Sequence, residues 1–212
     1  AWIDVETTGL DHLVHDLLEV YIIVTDENLE QLGTFATYVF PDDENMEKFS
    51  VDEWMEFWDA IPRDMHLKNG LVEDLKKTLV EGNAQPVCEV EIELANFFRK
   101  YNDGDPKSLY LAGSNVKFDI SFLQHHMPLA LKQVHYRAID VSSTRVQMEA
   151  ITGEDWVYPK EKDHRAHGDI VETIAEYKWL WTRFRDWVLQ RPQMYARPTV
   201  AIDLWETEKS NG

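Results

Sequence analysis

The sequence predicts a layered α/β domain, in which a mixed sheet is flanked by helices. Its first forty residues contain short runs of alternating or β-branched character that are typical of strands. Later runs space apolar residues three and four apart, as amphipathic helices do, and short apolar runs between them indicate further strands. Apolar side chains make up 44% of the 212 residues, which is enough to build a packed core.

The order of the elements follows from these patterns and from turn residues. Ser50 is a plausible helix N-cap with Glu53 as its capping-box partner, and we expect Pro62 to interrupt that helical segment. Ser142 and Ser143 are candidate caps for a later helix. The predicted strands are 1–6, 17–25, 34–40, 110–112 and 136–141. The other predicted helices are 72–81, 89–100, 119–126 and 169–189, with a polar loop over 151–168.

The length suits one domain, which we place at residues 1–190. Residues 191–212 are predicted to form a C-terminal tail that is partly docked or flexible. The longest apolar run has five residues, far short of the roughly 18 a membrane span needs, so we expect no membrane partner. The single cysteine excludes an intrachain disulfide and fits a reducing compartment. We expect the cytoplasm or the mitochondrion, and a targeting segment ahead of Ala1 would not be visible here.

The charge is strongly negative and unevenly distributed. The net charge is −18, and residues 1–60 contain sixteen acidic residues and one basic residue. An acidic surface repels phosphate, so the composition disfavours a protein that binds long duplex nucleic acid. It leaves open a metal site, a very small anionic substrate, or acidic residues that serve only solubility.

Three short segments carry candidate metal ligands. Asp4 and Glu6 are two apart on a predicted strand, so both carboxylates lie on one face, and a solvent-facing acidic strand is the alternative. Asp119 follows a Gly-Ser-Asn turn, where a helix-terminal carboxylate is the simpler interpretation. His164 and Asp169 flank the junction between a loop and a helix, and Asp169 alone would be interpreted as an N-cap.

The order Asp-x-Glu, a distant Asp, then His-x4-Asp resembles the DEDDh exonuclease superfamily, and within it the oligoribonuclease family. The resemblance covers residues 2–174. It implies a ribonuclease H-like mixed sheet flanked by helices, and a 3′-to-5′ exoribonuclease that degrades oligoribonucleotides of about two to five residues, especially dinucleotides, to nucleoside 5′-monophosphates. The segments that carry it are 2–10, 23–26, 66–71, 113–122, 135–142 and 164–170.

The resemblance also implies roles for individual residues. Asp4, Glu6, Asp119 and Asp169 would hold two divalent ions, Mg²⁺ or Mn²⁺, which prefer carboxylate oxygen. His164 would be the general base that activates the attacking water. The implied partners are short single-stranded RNA and a second copy of the chain, in a homodimer.

Further matches imply contacts with the substrate. Leu10 would insert between the last two bases, although a core leucine is equally compatible with the sequence. Tyr136, Arg137 and Ser142 match a cap on the 5′ phosphate, and a surface ion pair is the alternative for Arg137. His66 also lies in a matching segment and is a candidate substrate contact.

The sequence departs from the family pattern at several positions. Asn115 occupies the place of a phosphate-binding hydroxyl, and the spacing to His66 leaves Trp54 and Trp58 as unresolved candidates for a stacking residue. The Thr7-Thr8-Gly9 turn also occurs in proofreading-type DEDDh exonucleases. The alternatives are therefore an exonuclease that trims longer RNA or single-stranded DNA, and a non-catalytic scaffold with the same fold.

Overall fold

The structure, a computed structural model, describes residues 1–42, 49–159 and 165–191. The described strands form one six-stranded mixed sheet in the order β4-β3-β2-β1-β5-β6. β1 and β3 pair antiparallel with β2, whereas β5 runs parallel to β1 and β6 runs parallel to β5. The strands are β1 (Trp2–Thr7), β2 (Leu17–Thr25), β3 (Gln31–Phe40), β4 (Gln85–Pro86), β5 (Leu111–Gly113) and β6 (Ala138–Asp140).

Helices cover both faces of this sheet. In the described residues they are α1 (Val51–Trp54), α2 (Ala60–Lys68), α3 (Leu71–Val80), α4 (Val87–Tyr101), α5 (Lys117–His126), α6 (Pro128–Leu131), α7 (Val141–Thr152) and α8 (Ala166–Leu189). Short 3₁₀ turns occur at Met55–Phe57 and Pro106–Ser108. Among these helices, none combines the length and the apolar character that crossing a membrane requires.

The two faces of β1 pack against different helices, and this sets the direction of the acidic side chains. Ile3 and Val5 belong to a core cluster with residues of α4 and α5. Trp2 belongs to a second cluster with Ile170 and Leu180 of α8. Because side chains alternate along a strand, Asp4 and Glu6 share the face of Trp2 and lie beneath the start of α8. The predicted mixed α/β sheet with flanking helices is confirmed.

Several local predictions need correction. The first helical segment breaks at Trp58 and Asp59, and Pro62 lies in the first turn of α2, where its missing N–H is tolerated. Asp140, rather than Ser142 or Ser143, is the N-cap of α7, because its carboxylate accepts the Ser143 N–H at 2.7 Å. The predicted loop over 151–168 is shorter, since α7 continues to Thr152 and α8 begins at Ala166.

Other predictions agree with the structure or lie beyond it. The Ser50 N-cap is confirmed, since its hydroxyl accepts the Glu53 N–H at 3.4 Å. Strand β4 has only two residues, and the sequence pattern does not predict it. The proposed tail, residues 191–212, lies outside the described residues except for Arg191.

Candidate active site

Three of the predicted metal ligands meet at one point. Ligand oxygens of Asp4, Glu6 and Asp169 all lie within 4.8 Å of one another. Asp4 and Glu6 reach this point because they are neighbours on one face of β1. Asp169 reaches it from the first turn of α8, the helix that packs over that face. Asp169 is not the N-cap of α8, since Arg165 occupies that position.

Asp119 is not among the three residues whose ligand oxygens lie within 4.8 Å of one another, and it reaches β1 from the start of α5. It is the third residue of α5 and so lies in the first helical turn, as the interpretation of a helix-terminal carboxylate expects. Yet Asp119 is 3% exposed, and its Oδ1 accepts the N–H of Val5 on β1 at 3.0 Å. This bond ties the start of α5 to the strand that carries Asp4 and Glu6.

Burial raises the pKa values of Asp4, Glu6 and Asp119, and neighbouring acids raise them further. Burial raises the pKa of Asp4 well above its usual range, and Asp119, Glu6 and Asp169 raise it further by charge repulsion. Burial, followed by repulsion from Glu19, raises the pKa of Glu6 to about 8. Burial raises the pKa of Asp119 to about 8. Crowded acids of this kind are destabilised as anions unless a cation compensates them.

The donor set fits a hard divalent cation. The converging atoms are carboxylate oxygens, which Mg²⁺ and Mn²⁺ prefer to nitrogen or sulfur. Their high pKa values in the absence of a cation show where positive charge would stabilise the fold. A divalent metal at this point is therefore consistent with both the geometry and the electrostatics.

His66 lies behind Glu6 and not at the surface. Its side chain is fully buried, its Nε2 donates to Thr7 O at 3.0 Å, and its Nδ1 lies 3.9 Å from Glu6 Oε2. Burial lowers its pKa, so the ring is held in its neutral form. The burial disfavours the direct substrate contact suggested for His66 and favours a role in supporting the end of β1.

Leu10 projects into solvent from the turn that follows β1. It is 76% exposed, which excludes the core leucine that the sequence also allowed. A Cβ at Gly9 would overlap the His15 ring and the Asp59 carboxylate, so the close approach that precedes Leu10 requires glycine. Leu10 also lines a groove of about 220 Å³ together with Asn115, Lys117 and Phe118.

Tyr136 and Arg137 lie ahead of β6, which is separated from β1 by β5, and at the end of the strands opposite to Glu6. Both are exposed, and the Arg137 guanidinium lies 5.1 Å from the centre of the Tyr136 ring. The Tyr136 ring stacks on His135 at 4.6 Å, and His135 stacks on Tyr110 at 4.4 Å. Among the described residues, no carboxylate forms an ion pair with Arg137, so the alternative of a surface ion pair gains no support.

Ser142 and Asn115 form one hydrogen-bonded unit with Asp140. The Ser142 hydroxyl accepts the Asn115 N–H at 2.8 Å and donates to Asp140 Oδ1 at 2.8 Å. The other Asp140 oxygen accepts the Val116 N–H at 3.0 Å. Because the hydroxyl proton of Ser142 already forms a hydrogen bond with Asp140, Ser142 serves here to hold the turn before α5 and thereby Asp119.

Neither tryptophan that was considered for stacking is at the surface. Trp54 and Trp58 are 7% and 5% exposed, and the Trp54 indole donates to Asp16 at 2.9 Å. The exposed apolar side chains of this segment are Phe57 and Ile61. His164, the predicted general base, lies outside the described residues; the described chain resumes at Arg165, immediately after it.

Comparisons with known proteins identify the family. Residues 1–53 match a family model described as Exonuclease. A probable oligoribonuclease of Schizosaccharomyces pombe is 33% identical over 184 residues, which cover 85% of this chain and 68% of that protein.

This chain belongs to the oligoribonuclease family.

Other members of the family agree with this assignment, and a distant structural neighbour shares the fold. The oligoribonuclease of Cutibacterium acnes is 34% identical over 83% of this chain and 81% of its own length, and the mitochondrial oligoribonuclease of Mus musculus is 30% identical over 84% and 70%. The zinc-bound form of Escherichia coli ExoI with single-stranded DNA has a TM-score of 0.55 and 17% identity. The aligned region covers 90% of this chain but only 42% of that one, and the likeness shows a shared exonuclease fold.

Two residues beside the carboxylate cluster, Glu19 and Arg165, were not among the predicted site residues. Glu19 faces Glu6 directly across the β1–β2 pair and is 7% exposed. Arg165 lies within 3.6 Å of Glu19 Oε1. Both line a cavity of about 650 Å³ over β2 and β3. Glu19 is the third residue of the predicted strand 17–25, and it pairs with Glu6 of the first strand. That pairing was the signal that could have identified it.

Proposed function

We propose that this oligoribonuclease family member is a metal-dependent 3′-to-5′ exoribonuclease. Its substrates are very short oligoribonucleotides, especially dinucleotides, and its products are nucleoside 5′-monophosphates. The observation that carries the proposal is the convergence of Asp4, Glu6 and Asp169 within 4.8 Å, with buried Asp119 bonded to the same strand. A scaffold that had lost catalysis would have no use for these carboxylates, among which burial and neighbouring acids raise the pKa values of Asp4, Glu6 and Asp119.

The four carboxylates would hold two Mg²⁺ or Mn²⁺ ions. Bound there, such ions would supply Lewis-acid stabilisation of charge on the scissile phosphate and an acidified water. The chain itself contributes the alignment of the ligands, since β1 fixes Asp4 and Glu6, while α5 and α8 fix Asp119 and Asp169. His164 is the proposed acceptor of the water's proton, a role that histidine commonly fills near neutral pH.

Two exposed features of the described surface fit a short single-stranded substrate. Leu10 would separate the last two bases, and the groove it shares with Asn115 and Lys117 would receive the adjoining nucleotide. Tyr136 and Arg137 are exposed and preorganised by stacking, so they suit a contact with a terminal phosphate. They lie two strands from β1, which favours their supply from a second subunit to the site of its partner.

The test of the activity compares the purified protein with the variant Asp119→Asn. The amide keeps an oxygen for the Val5 N–H but removes the ligand charge. With Mg²⁺ or Mn²⁺, we expect the wild type to convert a 5′-phosphorylated diribonucleotide to mononucleotides, and the variant to lose at least about 100-fold in rate. Asp64→Asn, an exposed substitution on α2, is the matched control. Undiminished turnover by Asp119→Asn would refute the proposed mechanism.

A length series tests the substrate preference and the alternative. Longer single strands are the second candidate substrate. The proposed 5′-phosphate cap that would exclude them has Asn115 in place of a hydroxyl residue, and the Ser142 hydroxyl is already hydrogen-bonded within the protein. Turnover of 5′-labelled RNA from a dimer to a twenty-mer distinguishes the two. Rates that fall with length support the dinucleotide substrate, whereas rates that rise with length identify an enzyme that trims longer chains.

The homodimer and the domain organisation are proposals of the same kind. A mass by light scattering of about 50 kDa, twice the 24.9 kDa of one chain, would support the dimer. A chain that carries both Arg137→Ala and Asp119→Asn should then be inactive. A mixture of Arg137→Ala chains with Asp119→Asn chains should regain part of the activity, because a mixed dimer combines an intact Asp119 on one chain with an intact Arg137 on the other. We place the exonuclease domain at 1–190 and the enzyme in the cytoplasm or the mitochondrion.

A further inference from the structure

We propose that Arg165 is a positioning residue for the carboxylate cluster. It would fix the first turn of α8, which carries Asp169, and hold Glu19, the buried carboxylate opposite Glu6, away from the metal site. The inference rests on the proposed metal-dependent function. It assigns a role to a side chain that belongs neither to the four carboxylates nor to the proposed base.

The Arg165 side chain joins three elements. Its Nη1 donates to Asp74 Oδ2 of α3 at 2.9 Å, and its Nη2 donates to the Tyr38 hydroxyl of β3 at 3.2 Å. The same Nη2 lies 3.6 Å from Glu19 Oε1 of β2. A guanidinium offers five N–H donors in a fixed plane, so it holds several separated partners at once better than the compact ammonium of a lysine does.

The backbone of Arg165 connects this clamp to Asp169. Arg165 is the N-cap of α8, and its carbonyl accepts the Asp169 N–H at 3.0 Å. The next residue, Ala166, is fully buried, so the first turn has little room to move. A shift of Arg165 relative to β2 and β3 would therefore displace the Asp169 carboxylate from Asp4 and Glu6.

The same guanidinium compensates Glu19. Glu19 pairs with Glu6 in the β1–β2 register, and among the described residues its Oε2 has no hydrogen-bond partner. Arg165 is the cation that lies against its other oxygen. Without Arg165, an uncompensated carboxylate would stand beside Glu6, where it would compete for a bound ion.

A purely structural clamp would predict a different result. Loss of Arg165 would then lower the melting temperature and leave the folded molecules with normal metal affinity. Arg183 provides the comparison, because it lies on the same helix, pairs with Glu154 at 3.3 Å and covers the Trp156 ring at 4.5 Å. Its other ring contact is Trp179 at 5.2 Å, and none of these partners is one of the four carboxylates.

The experiment measures Mn²⁺ affinity by titration calorimetry, well below the melting temperature, for the wild type, Arg165→Met, Arg165→Lys and Arg183→Met. We expect Arg165→Met to weaken Mn²⁺ binding at least about tenfold and Arg165→Lys to be intermediate, with Arg183→Met near the wild type. On a 5′-phosphorylated diribonucleotide, kcat should fall about 100-fold for Arg165→Met while KM changes less than about threefold.

A second substitution separates the two parts of the proposal and guards against misfolding. Adding Glu19→Gln to Arg165→Met removes the uncompensated charge and should recover part of the Mn²⁺ affinity. If Arg165→Met does not fold, Arg165→Lys decides the question. Wild-type Mn²⁺ affinity and kcat in a folded Arg165 variant would overturn the proposal. A wild type that binds Mn²⁺ but cleaves no diribonucleotide would instead contradict the proposed substrate, and the calorimetric comparison would still stand.

Discussion

At the scale of single residues, the same side-chain type has different roles according to its exposure. Leu10 is 76% exposed beside the carboxylate strand, whereas Leu17 and Leu18 are fully buried in the core. An exposed leucine costs little to remove, because it leaves no cavity. Leu10 is therefore a position at which binding can be changed without changing stability.

The substitution Leu10→Ser should raise KM for a diribonucleotide about tenfold, which corresponds to about 1.4 kcal/mol of lost binding. The melting temperature should stay within about 1 °C of the wild type, since the side chain already contacts water. Steady-state kinetics and a thermal melt check both expectations. Leu13→Ser, an equally small change at another exposed position of the loop, should leave KM unchanged. An unchanged KM in Leu10→Ser would show that this residue does not contact the substrate.

At the scale of elements, one carboxylate connects the starts of two helices. Asp140 caps α7 through the Ser143 N–H, bonds the Ser142 hydroxyl and accepts the Val116 N–H ahead of α5. Burial alone would raise its pKa, but these hydrogen bonds hold the pKa below its usual range. A carboxyl group with a lowered pKa stabilises the fold above its unfolded pKa, and this contribution is lost as the pH falls through the folded pKa.

Replacing Asp140 with alanine should lower the free energy of unfolding by about 2 kcal/mol, because a cap and the bond to α5 are lost together. It should also lower the turnover rate, since α5 carries Asp119. Chemical denaturation and a rate assay measure the two effects. Ser50→Ala removes a cap with a single 3.4 Å bond at α1, so it should cost less and leave the rate unchanged. Equal rate losses in both variants would contradict the link between Asp140 and α5.

At the scale of the whole molecule, most of the net charge of −18 lies in residues 1–60, which also contain two of the four proposed metal ligands. Asp4 and Glu6 belong to the acidic first sixty residues, and bound divalent ions would reverse the sign of the local charge. The charge thus disfavours long duplexes without excluding a short strand at a metal centre. Residues 113–170, which carry most of the proposed substrate contacts, are close to neutral.

The pH dependence of the metal-free protein should reveal the carboxylate cluster. The folded pKa values of Glu6 and Asp119 are raised to about 8, above their unfolded values, so the folded state binds more protons in this range. Stability should therefore fall as the pH rises from about 5 to 8. Thermal melts with a chelator measure this trend, and melts that become more stable over the same range would contradict it.

Adding a divalent metal ion should reverse this loss of stability at high pH. At pH 8, Mn²⁺ at a hundred times its Kd should stabilise the fold by about 2.7 kcal/mol. The corresponding rise in melting temperature is about 5–10 °C for a chain of this size. Asp4→Asn, which removes one ligand, should show a much smaller rise in the same titration. An equal rise in both proteins would place the stabilising ion elsewhere.

The sequence by itself determined the class of fold, the four carboxylates and the family. These depend on patterns within short segments: a period of two places Asp4 with Glu6, and helical spacing predicts α8 with Asp169 in its first turn. Such patterns are local, because backbone geometry relates a residue to its near neighbours. The position of β1 next to the parallel strand β5 follows only from how the elements pack.

Only the tertiary structure decided which candidates share the site and what supports them. His66 and the two tryptophans became buried, Leu10 stayed exposed, and Arg165 joined Tyr38 and Asp74, 127 and 91 positions away in the chain. Exposure and long-range contacts depend on how much apolar surface each element buries against the others. A sequence motif records which groups the chemistry needs, whereas packing determines the distances between those groups and the residues that hold them in place.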